Sequence, residues 1–326
     1  MKAIQISEFG GPEVLRLVEI DEPIPSENEV RVRLFAAGVN PNETYVRTGA
    51  YSFYVPELPC TLGFDGAGVV DALGENVNHL RIGDRVFVAA LLARHNTGTY
   101  AEKVVCDANF VYKLHESVSF QEGASLGIPA LAAYRGLFHR AKIKPGETVL
   151  IHGASGGVGI FAVQMASSIG ANVIGTANTD VGKGLVLAAG AKYAINHLTE
   201  NTVCEILALT NNKGPDVIFE SLANVNLVTD LRVIAKYGRI VIVGNRGSLK
   251  IEPRLAMIKE ADILGMALVN APDHEYKESL YAIEGFLKSG ILRPQIGTVF
   301  KLKDARDAHE QLISKNAMGK IILSIE

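Results

Sequence analysis

The chain has 326 residues, of which 48% are hydrophobic and 21% charged, and its formal net charge is −3. This length suffices for two domains with a sizeable core, and the composition is typical of a folded globular protein. Charges of both signs are interspersed, so bulk electrostatics indicates neither nucleic acid nor a membrane surface as a partner. The first residues lack a signal-peptide pattern and no apolar run reaches the roughly 20 residues that span a bilayer, so we expect a cytoplasmic protein.

Three cysteines, Cys60, Cys106 and Cys204, lie far apart and show no CxxC spacing. This distribution argues against a disulfide framework and against a structural zinc site. We expect free, buried thiols. A catalytic thiol is the alternative, and it would require an electropositive neighbour.

Short strands separated by turns make up about the first 120 residues. Glu29–Leu34 alternates apolar with charged residues, which predicts a half-buried antiparallel strand. Asp84–Val88 and Tyr100–Val105 are further strand segments of this kind. The pattern indicates a β-rich domain.

From about residue 124 onward, apolar strands alternate with helical segments, which predicts a parallel α/β sheet. The strands are Thr148–His152, Asn172–Thr176, Asp216–Phe219 and Arg239–Val243. Their carboxyl ends are expected to gather around one crevice, where ligands bind in such sheets. The last segment, from Leu292, contains a helix around Ala305–Ser314 and a strand at Gly319–Ser324, and we assign it to the first domain.

A glycine-rich turn follows the first of these strands, in the segment His152–Gly159. Missing side chains let the backbone approach a pyrophosphate, and the following helix directs its first N–H groups toward that group. The motif reads AxGxxG, with Ala154 at the position of the first glycine. A dinucleotide site is predicted, and the alternative is a turn that only packs helix on strand.

Seven segments spread along the chain carry a family resemblance. They are Glu8–Leu15, Gly38–Tyr45, Gly63–Gly68, Gly83–Val86, His152–Gly159, Leu222–Leu227 and Gly244–Gly247. Together they resemble the zinc-free quinone oxidoreductases of the ζ-crystallin type, in the medium-chain dehydrogenase/reductase superfamily. The resemblance implies an α/β protein in which a GroES-like β-rich catalytic domain, residues 1–123 and 292–326, is interrupted by a Rossmann domain with a doubly wound parallel sheet, residues 124–291.

In the zinc-dependent branch of this superfamily, a Cys, a His in a Gly-His-Glu segment and a later Cys hold the metal. Here Asn40 follows Gly38-Val39, and Phe64 and Asp65 replace His-Glu, so no metal is expected. A quinone makes little demand on acid–base catalysis because its ring delocalises the incoming electrons. We therefore expect catalysis mainly by positioning of the nicotinamide against the acceptor, in a cleft between the domains, with water excluded.

Residues of the first domain that the family places against nicotinamide and substrate are Asn40, Tyr45 and Tyr51. A tyrosine ring can stack on a flat acceptor, and its hydroxyl can form a hydrogen bond to a carbonyl or phosphate oxygen. The alternative is that Tyr51 is an exposed loop residue and Tyr45 a core residue.

Five residues of the glycine turn are expected to cradle the pyrophosphate: Ser155, Gly156, Gly157, Val158 and Gly159. At the end of the second strand, Asn178 stands where an NAD-selective protein commonly places an acid. Lys183 could neutralise a 2′-phosphate, so NADPH is favoured over NADH. The alternative for Lys183 is a solvated helix residue.

Further positions match cofactor contacts of the family. They are His197, Asn226, Val243, Gly244, Asn245, Arg246, Met266, Ala267 and Leu268, with Lys320 as a basic residue that some relatives use on the phosphate. His197 would otherwise be read as loop surface and Arg246 as a salt-bridging loop residue.

The leading interpretation is NADPH:quinone oxidoreduction with small planar quinones. A second reading is reduction of an enone or alkenal double bond, which uses the same hydride geometry. A third, non-enzymatic reading is an NADPH-binding crystallin-like or AU-rich RNA-binding protein, although no basic and aromatic pattern here argues for RNA. The family also implies a homo-oligomer, a dimer or tetramer, and the apolar segment Ile263–Val269 could pair across a two-fold axis.

Overall fold

The structure is a computed structural model that describes residues 1–93, 95–199, 201–313 and 318–326. The chain forms two compact units, Met1–Ile128 with Pro294–Glu326, and Pro129–Arg293. The sequence placed these boundaries at 123/124 and 291/292. Within the described residues, no helix has both the length and the apolar character needed to cross a membrane.

The first unit is a β-structure with two sheets. Its strands are β1 Lys2–Ile6, β2 Arg16–Glu19, β3 Glu29–Gly38, β4 Cys60–Thr61, β5 Asp65–Leu73, β6 Arg85–Ala89, β7 Lys103–Asp107, β8 Val111–Lys113, β15 Ile296–Lys301 and β16 Lys320–Ser324. Among the described residues the smaller sheet has the order β2-β1-β4, and the larger has β15-β16-β3-β5-β6-β8 with β7 paired to β3. The C-terminal strand β16 pairs antiparallel with β3, which returns the end of the chain to this unit as expected.

Three helices accompany these sheets, α1 Pro41–Arg47, α2 Phe120–Gly123 and α10 Ala305–Ile313; the expected helix end at Ser314 lies outside the described residues. Pro41 at the first position and a capping box between Asn40 and Glu43 begin α1 directly after β3. The predicted strand Tyr100–Val105 is wrong at its start: β7 begins at Lys103, because the Tyr100 backbone forms hydrogen bonds with Leu62 and Ile4 and not with β3.

The second unit is a parallel sheet. Its strands are β9 Thr148–Ile151, β10 Asn172–Ala177, β11 Tyr193–Asn196, β12 Val217–Glu220, β13 Arg239–Ile242 and β14 Asp262–Gly265, in the order β11-β10-β9-β12-β13-β14. Every ladder in this sheet is parallel. The prediction of a doubly wound α/β sheet is confirmed.

Five helices of the described chain connect these strands: α4 Gly157–Ser168, α5 Asp180–Ala188, α6 Thr202–Leu209, α7 Ala223–Val233 and α8 Arg254–Lys259. The helix α3 Gly127–Tyr134 precedes the sheet and α9 Asp273–Lys288 follows it. A π-helical segment, Arg135–Arg140, continues α3. The helix α4 buries nearly its whole length, which explains why its sequence is apolar on all sides. After β9 the chain adds β10 and β11 on one side and β12 to β14 on the other, so the strand order reverses between β9 and β12.

The three thiols differ in exposure. Cys106 is buried and Cys60 half-buried, and burial raises the pKa of Cys60 to about 11. Cys204 is exposed, so the prediction of a buried thiol is wrong there: α6 turns Ile206 inward and leaves Cys204 outside.

Candidate functional site

The glycine turn lies between β9 and α4 and has an open surface. Gly153 has a φ of 62°, a left-handed conformation that favours glycine. Gly156 caps α4, and a Cβ placed there would meet only the Gly153 carbonyl oxygen, at 3.4 Å. Space for a ligand therefore lies beside the turn, in front of the first N–H groups of α4, which a helix leaves without intrahelical partners.

Two other glycines are required by close packing. A Cβ on Gly159 would stand 2.2 Å from the Gly153 carbonyl oxygen and 2.6 Å from the Ala154 Cα. A Cβ on Gly244 would stand 2.2 Å from the Ser221 carbonyl oxygen. The first contact holds α4 against the turn, and the second holds the loop after β13 against the loop after β12.

The loops after β12 and β13 are joined by hydrogen bonds. The Asn224 backbone N–H donates to Asn245 Oδ1 at 3.0 Å, and the Arg246 backbone N–H donates to Asn224 Oδ1 at 2.9 Å. Arg246 and Asn245 are exposed, whereas Val243 and Gly244 are half-buried. These residues follow carboxyl ends of strands next to the point where the strand order reverses, which is where ligands bind in sheets of this type.

Asn226 lies in the first turns of α7, and its side-chain amide donates to Glu220 Oε1 at 3.2 Å. Met266 and Leu268 are each 8% exposed and Ala267 is half-buried; all three follow the end of β14. The Ala267 carbonyl oxygen accepts from Arg135 Nη1 at 3.1 Å, which fixes the backbone of that segment.

The residues predicted for the adenosine end follow β10 and β11. Thr179 caps α5, and Lys183 lies one turn into it with its Nζ 2.8 Å from Asp180 Oδ1. Both side chains of this ion pair are accessible, and Asn178 precedes them after the end of β10. His197 follows β11 and is exposed. Lys183 therefore lies near the carboxyl end of β10, as predicted, and its side chain forms an ion pair with Asp180.

A buried cluster of titratable groups, which we call the carboxylate–histidine cluster, lies directly behind the turn and was not predicted. It comprises His152, Glu220 and Asp230, which are 6%, 0% and 0% exposed. His152 Nε2 lies 2.8 Å from Asp230 Oδ1 and 3.6 Å from Glu220 Oε2. Burial raises the pKa of Glu220 and of Asp230 to about 7. The signal in the sequence was limited to His152 and Glu220, polar residues at the ends of apolar strands, and nothing pointed to Asp230 in α7.

In the first unit, Asn40 lies in a second buried network. It is 1% exposed; its Nδ2 donates to Asp65 Oδ2 at 2.8 Å, and its Oδ1 accepts from Lys320 Nζ. Glu43 accepts from the Asn40 backbone N–H at 2.7 Å and from the Tyr100 hydroxyl at 2.6 Å. Burial raises the pKa of Glu43 to about 7. The Asn40 amide is thus engaged inside the protein, an arrangement that favours a supporting role over direct contact with a substrate.

Lys320 was predicted as a phosphate contact, but it is only 4% exposed and its Nζ lies 3.6 Å from Asp65 Oδ2. Burial lowers the pKa of Lys320. The geometry does not favour the predicted contact, because the ammonium group is directed into the core of the first unit and toward Asn40 and Asp65.

The two predicted tyrosines form an aromatic surface after β3. The rings of Tyr45 and Tyr51 are 6.5 Å apart with an interplanar angle of 17°, and Tyr51 meets Phe53 edge to face at 5.5 Å. Phe53 and the following Tyr54 are 55% and 48% exposed. Burial raises the pKa of the Tyr51 hydroxyl, which stays protonated near neutral pH as a hydrogen-bond donor. This surface can contact a flat, apolar molecule.

A β-rich unit formed by both ends of the chain, together with a doubly wound parallel sheet carrying a glycine turn, defines the architecture of the medium-chain dehydrogenase/reductases. Residues 26–116 match the family model "Alcohol dehydrogenase GroES-like domain", and residues 157–284 match "Zinc-binding dehydrogenase". Both matches agree with the predicted domain types.

The chain aligns over almost its whole length with several named proteins and with several solved structures. The quinone oxidoreductase of Homo sapiens is 43% identical over 325 residues, 99% of this chain and 97% of that protein. The structure of Escherichia coli quinone oxidoreductase complexed with NADPH has a TM-score of 0.90 and 31% identity, with 99% of this chain and 100% of that chain covered. The structure of CurK enoyl reductase has a TM-score of 0.89 and 26% identity, with 100% and 99% covered. The chain belongs to the quinone oxidoreductase family and is an oxidoreductase enzyme.

Proposed function

We propose that this enzyme uses NADPH to reduce small planar quinones without a metal ion. The observation that carries the proposal is the aromatic surface of Tyr45, Tyr51 and Phe53, which suits a flat acceptor. NADPH, when bound, supplies the hydride. The chain contributes by orienting the reactants and by the protonated Tyr51 hydroxyl, which can donate a hydrogen bond to an acceptor oxygen.

Support for NADPH comes from the second unit. The space beside Gly156 and the N-terminus of α4 fit a pyrophosphate, and Lys183 is positioned to meet a 2′-phosphate. Because the Lys183 ammonium group is accessible, a dianionic phosphate can compete with the single carboxylate of Asp180. The NADPH complex of the E. coli relative supports the same cofactor.

The proposed independence from metal rests on the donor set in the first unit. Phe64 offers no ligand atom, and the side chains of Asn40 and Asp65 contact the Lys320 ammonium group. Because this ammonium already places a positive charge among them, a divalent cation at the same position would be repelled. The residues present therefore do not fit a catalytic zinc ion.

One assay tests these points together. NADPH and NADH oxidation is measured against ortho-quinones, para-quinones and enones, before and after dialysis against EDTA. We expect turnover with quinones, preference for NADPH and no loss after dialysis. Preference for NADH would refute the Lys183 assignment, and loss of activity with EDTA that zinc restores would refute metal independence.

Enone reduction is a second candidate, favoured by the similarity to an enoyl reductase over the full length of both chains. The products distinguish the two reactions, because a hydroquinone forms in one and a saturated ketone or aldehyde in the other. A higher kcat/KM for enones than for every quinone tested would favour this second candidate.

We further propose a homo-oligomer formed through β14, which ends the order of the parallel sheet in the described chain. Its Ile263 is 42% exposed, and an edge strand with an apolar side chain can pair with a second copy. Ile263→Lys is expected to shift the mass measured by light scattering toward the monomer. An unchanged mass would refute this interface.

A further inference from the structure

The carboxylate–histidine cluster connects the glycine turn with the first turn of α7. At one end, the Gly153 N–H donates to Thr176 Oγ1 at 3.2 Å, and the Thr176 hydroxyl lies 3.5 Å from His152 Nδ1. At the other end, Glu220 Oε1 accepts from the Leu222 N–H and from Asn226 Nδ2. These ends lie in segments predicted to contact the cofactor.

The contacts along this chain favour one protonation pattern. Thr176 accepts from the Gly153 N–H and can donate its own hydroxyl proton to His152 Nδ1. His152 is then neutral, with its proton on Nε2, and donates to Asp230 Oδ1. Burial lowers the pKa of His152, which agrees with a neutral ring. We assign this tautomer from the hydrogen-bond partners on either side of the ring.

Two carboxylate oxygens remain, Glu220 Oε2 and Asp230 Oδ2. Both are buried and accept no hydrogen bond in the described chain. A carboxylate oxygen of Glu220, one of Asp230 and a ring nitrogen of His152 all lie within 4.8 Å of one another. Two ionised carboxylates beside a neutral imidazole would place two negative charges in a dry site, which is unfavourable. One proton shared by the two acids leaves a single negative charge in the site.

We infer that His152, Glu220 and Asp230 are positioning residues that share one proton and thereby hold the glycine turn and the start of α7 in their cofactor-binding arrangement. The functional consequence rests on the NADPH site proposed above. Loss of the shared proton leaves two neighbouring carboxylates that repel each other, so the cofactor affinity is expected to fall as the pH rises above about 7.

The same proton links folding to pH. Burial raises the pKa of both acids to about 7, so between about pH 4 and pH 7 the folded protein retains a proton that the unfolded chain releases. The cluster's contribution to stability is therefore present at low pH and lost as the pH rises through this window. His197, after β11, is a further titratable group near His152, and its own pKa is lowered by partial desolvation and by that ring.

Amide substitutions test the shared proton directly. In Glu220→Gln, the new N–H can donate to Asp230 Oδ2, and in Asp230→Asn it can donate to Glu220 Oε2, so each single variant replaces the proton permanently. The double variant places two amide N–H groups against each other. Glu205→Gln, on the exposed side of α6, is the control for loss of one negative charge.

We expect wild type to lose about tenfold in NADPH affinity from pH 6.5 to 8.5 relative to the single variants, which should match wild type at pH 6.5 within about twofold. The double variant should bind NADPH at least about tenfold more weakly than the single variants at both pH values. The titration of NADPH itself affects the wild type and all variants equally, so it cancels in the ratios of their affinities.

The inference would be overturned if the single variants bound NADPH as weakly as the double variant is expected to, or if the double variant bound NADPH as tightly as the single variants. A stoichiometric metal ion in the purified protein that is lost in His152→Ala would also overturn it. If wild type fails to bind NADPH, the proposed function is refuted, but thermal unfolding of the same proteins without cofactor still tests the shared proton. There, the single variants should lose the pH dependence between about 5 and 7, and the double variant should be less stable than either.

Discussion

Replacement of Lys320 by Met is expected to destabilise the first unit strongly above neutral pH. The ammonium group faces Asn40 and lies 3.6 Å from Asp65, which is 0% exposed. Burial raises the pKa of Glu43, and the positive charge of Lys320 offsets part of that rise. Met keeps most of the volume but removes the positive charge. Removal of one partner from a buried pair costs about 3 to 5 kcal/mol, because the remaining carboxylate is left uncompensated in a dry site.

This cost depends on pH in a defined direction. Without the ammonium group, Asp65 and Glu43 can relieve their charge by binding protons, and burial raises the pKa of both already in the wild type. The folded variant therefore holds protons that the unfolded chain releases, and its stability is lost as the pH rises from about 4 through 7. The difference from wild type should be largest at pH 8 and small at pH 5.

Urea unfolding at pH 5 and pH 8 measures the effect. Lys301→Met, an exposed lysine whose side chain is 62% accessible, is the matched control and should change the unfolding free energy by less than about 0.5 kcal/mol. In the double variant Lys320→Met/Asp65→Asn, both charges are gone and at least half of the loss should return. Equal unfolding midpoints for Lys320→Met and wild type at pH 8 would refute the reasoning.

Three further predictions concern binding and turnover. Gly159→Ala should weaken NADPH binding by about tenfold or more, because the added Cβ would displace the turn. Gly184→Ala, with open space around the position, should bind NADPH like wild type. Equal affinities of the two variants by calorimetry would contradict this. Lys183→Ala should weaken NADPH binding about tenfold and leave NADH binding unchanged in the same titration. Tyr51→Ala should lower kcat/KM for quinones by up to about tenfold and Tyr51→Phe by less, and a Phe variant as impaired as Ala would show that stacking is unimportant.

Local patterns in the sequence sufficed for the framework of the protein. Alternation of apolar strands with helices predicted the parallel sheet, since each strand and helix carries its own periodicity. The glycine turn was visible for the same reason: a left-handed residue at Gly153 and close packing at Gly159 both require the absence of a side chain. Asn40 and Phe64 depart from the zinc-dependent pattern of the superfamily, a comparison that the family resemblance made possible.

The predictions of strand ends were less accurate, because hydrogen bonding to a partner strand decides where a strand begins and ends. The strand from Glu29 continues to Gly38, where it pairs with both β5 and β16. Tyr100 is of a residue type that favours strands, but its backbone N–H donates to the Leu62 carbonyl oxygen and its hydroxyl donates to Glu43. Neither partner is near in sequence.

Only the tertiary structure decided the charged interior. Lys320 and Asn40 are 280 residues apart, and His152 and Asp230 are 78 apart, so no local spacing brings them together. The sequence by itself determined a parallel α/β sheet with a glycine turn after its first strand, because those features depend on backbone conformation and local periodicity, and the family resemblance supplied the oxidoreductase class. The environment of each ionisable group was decided by the fold, because desolvation and proton sharing depend on which distant side chains close around it.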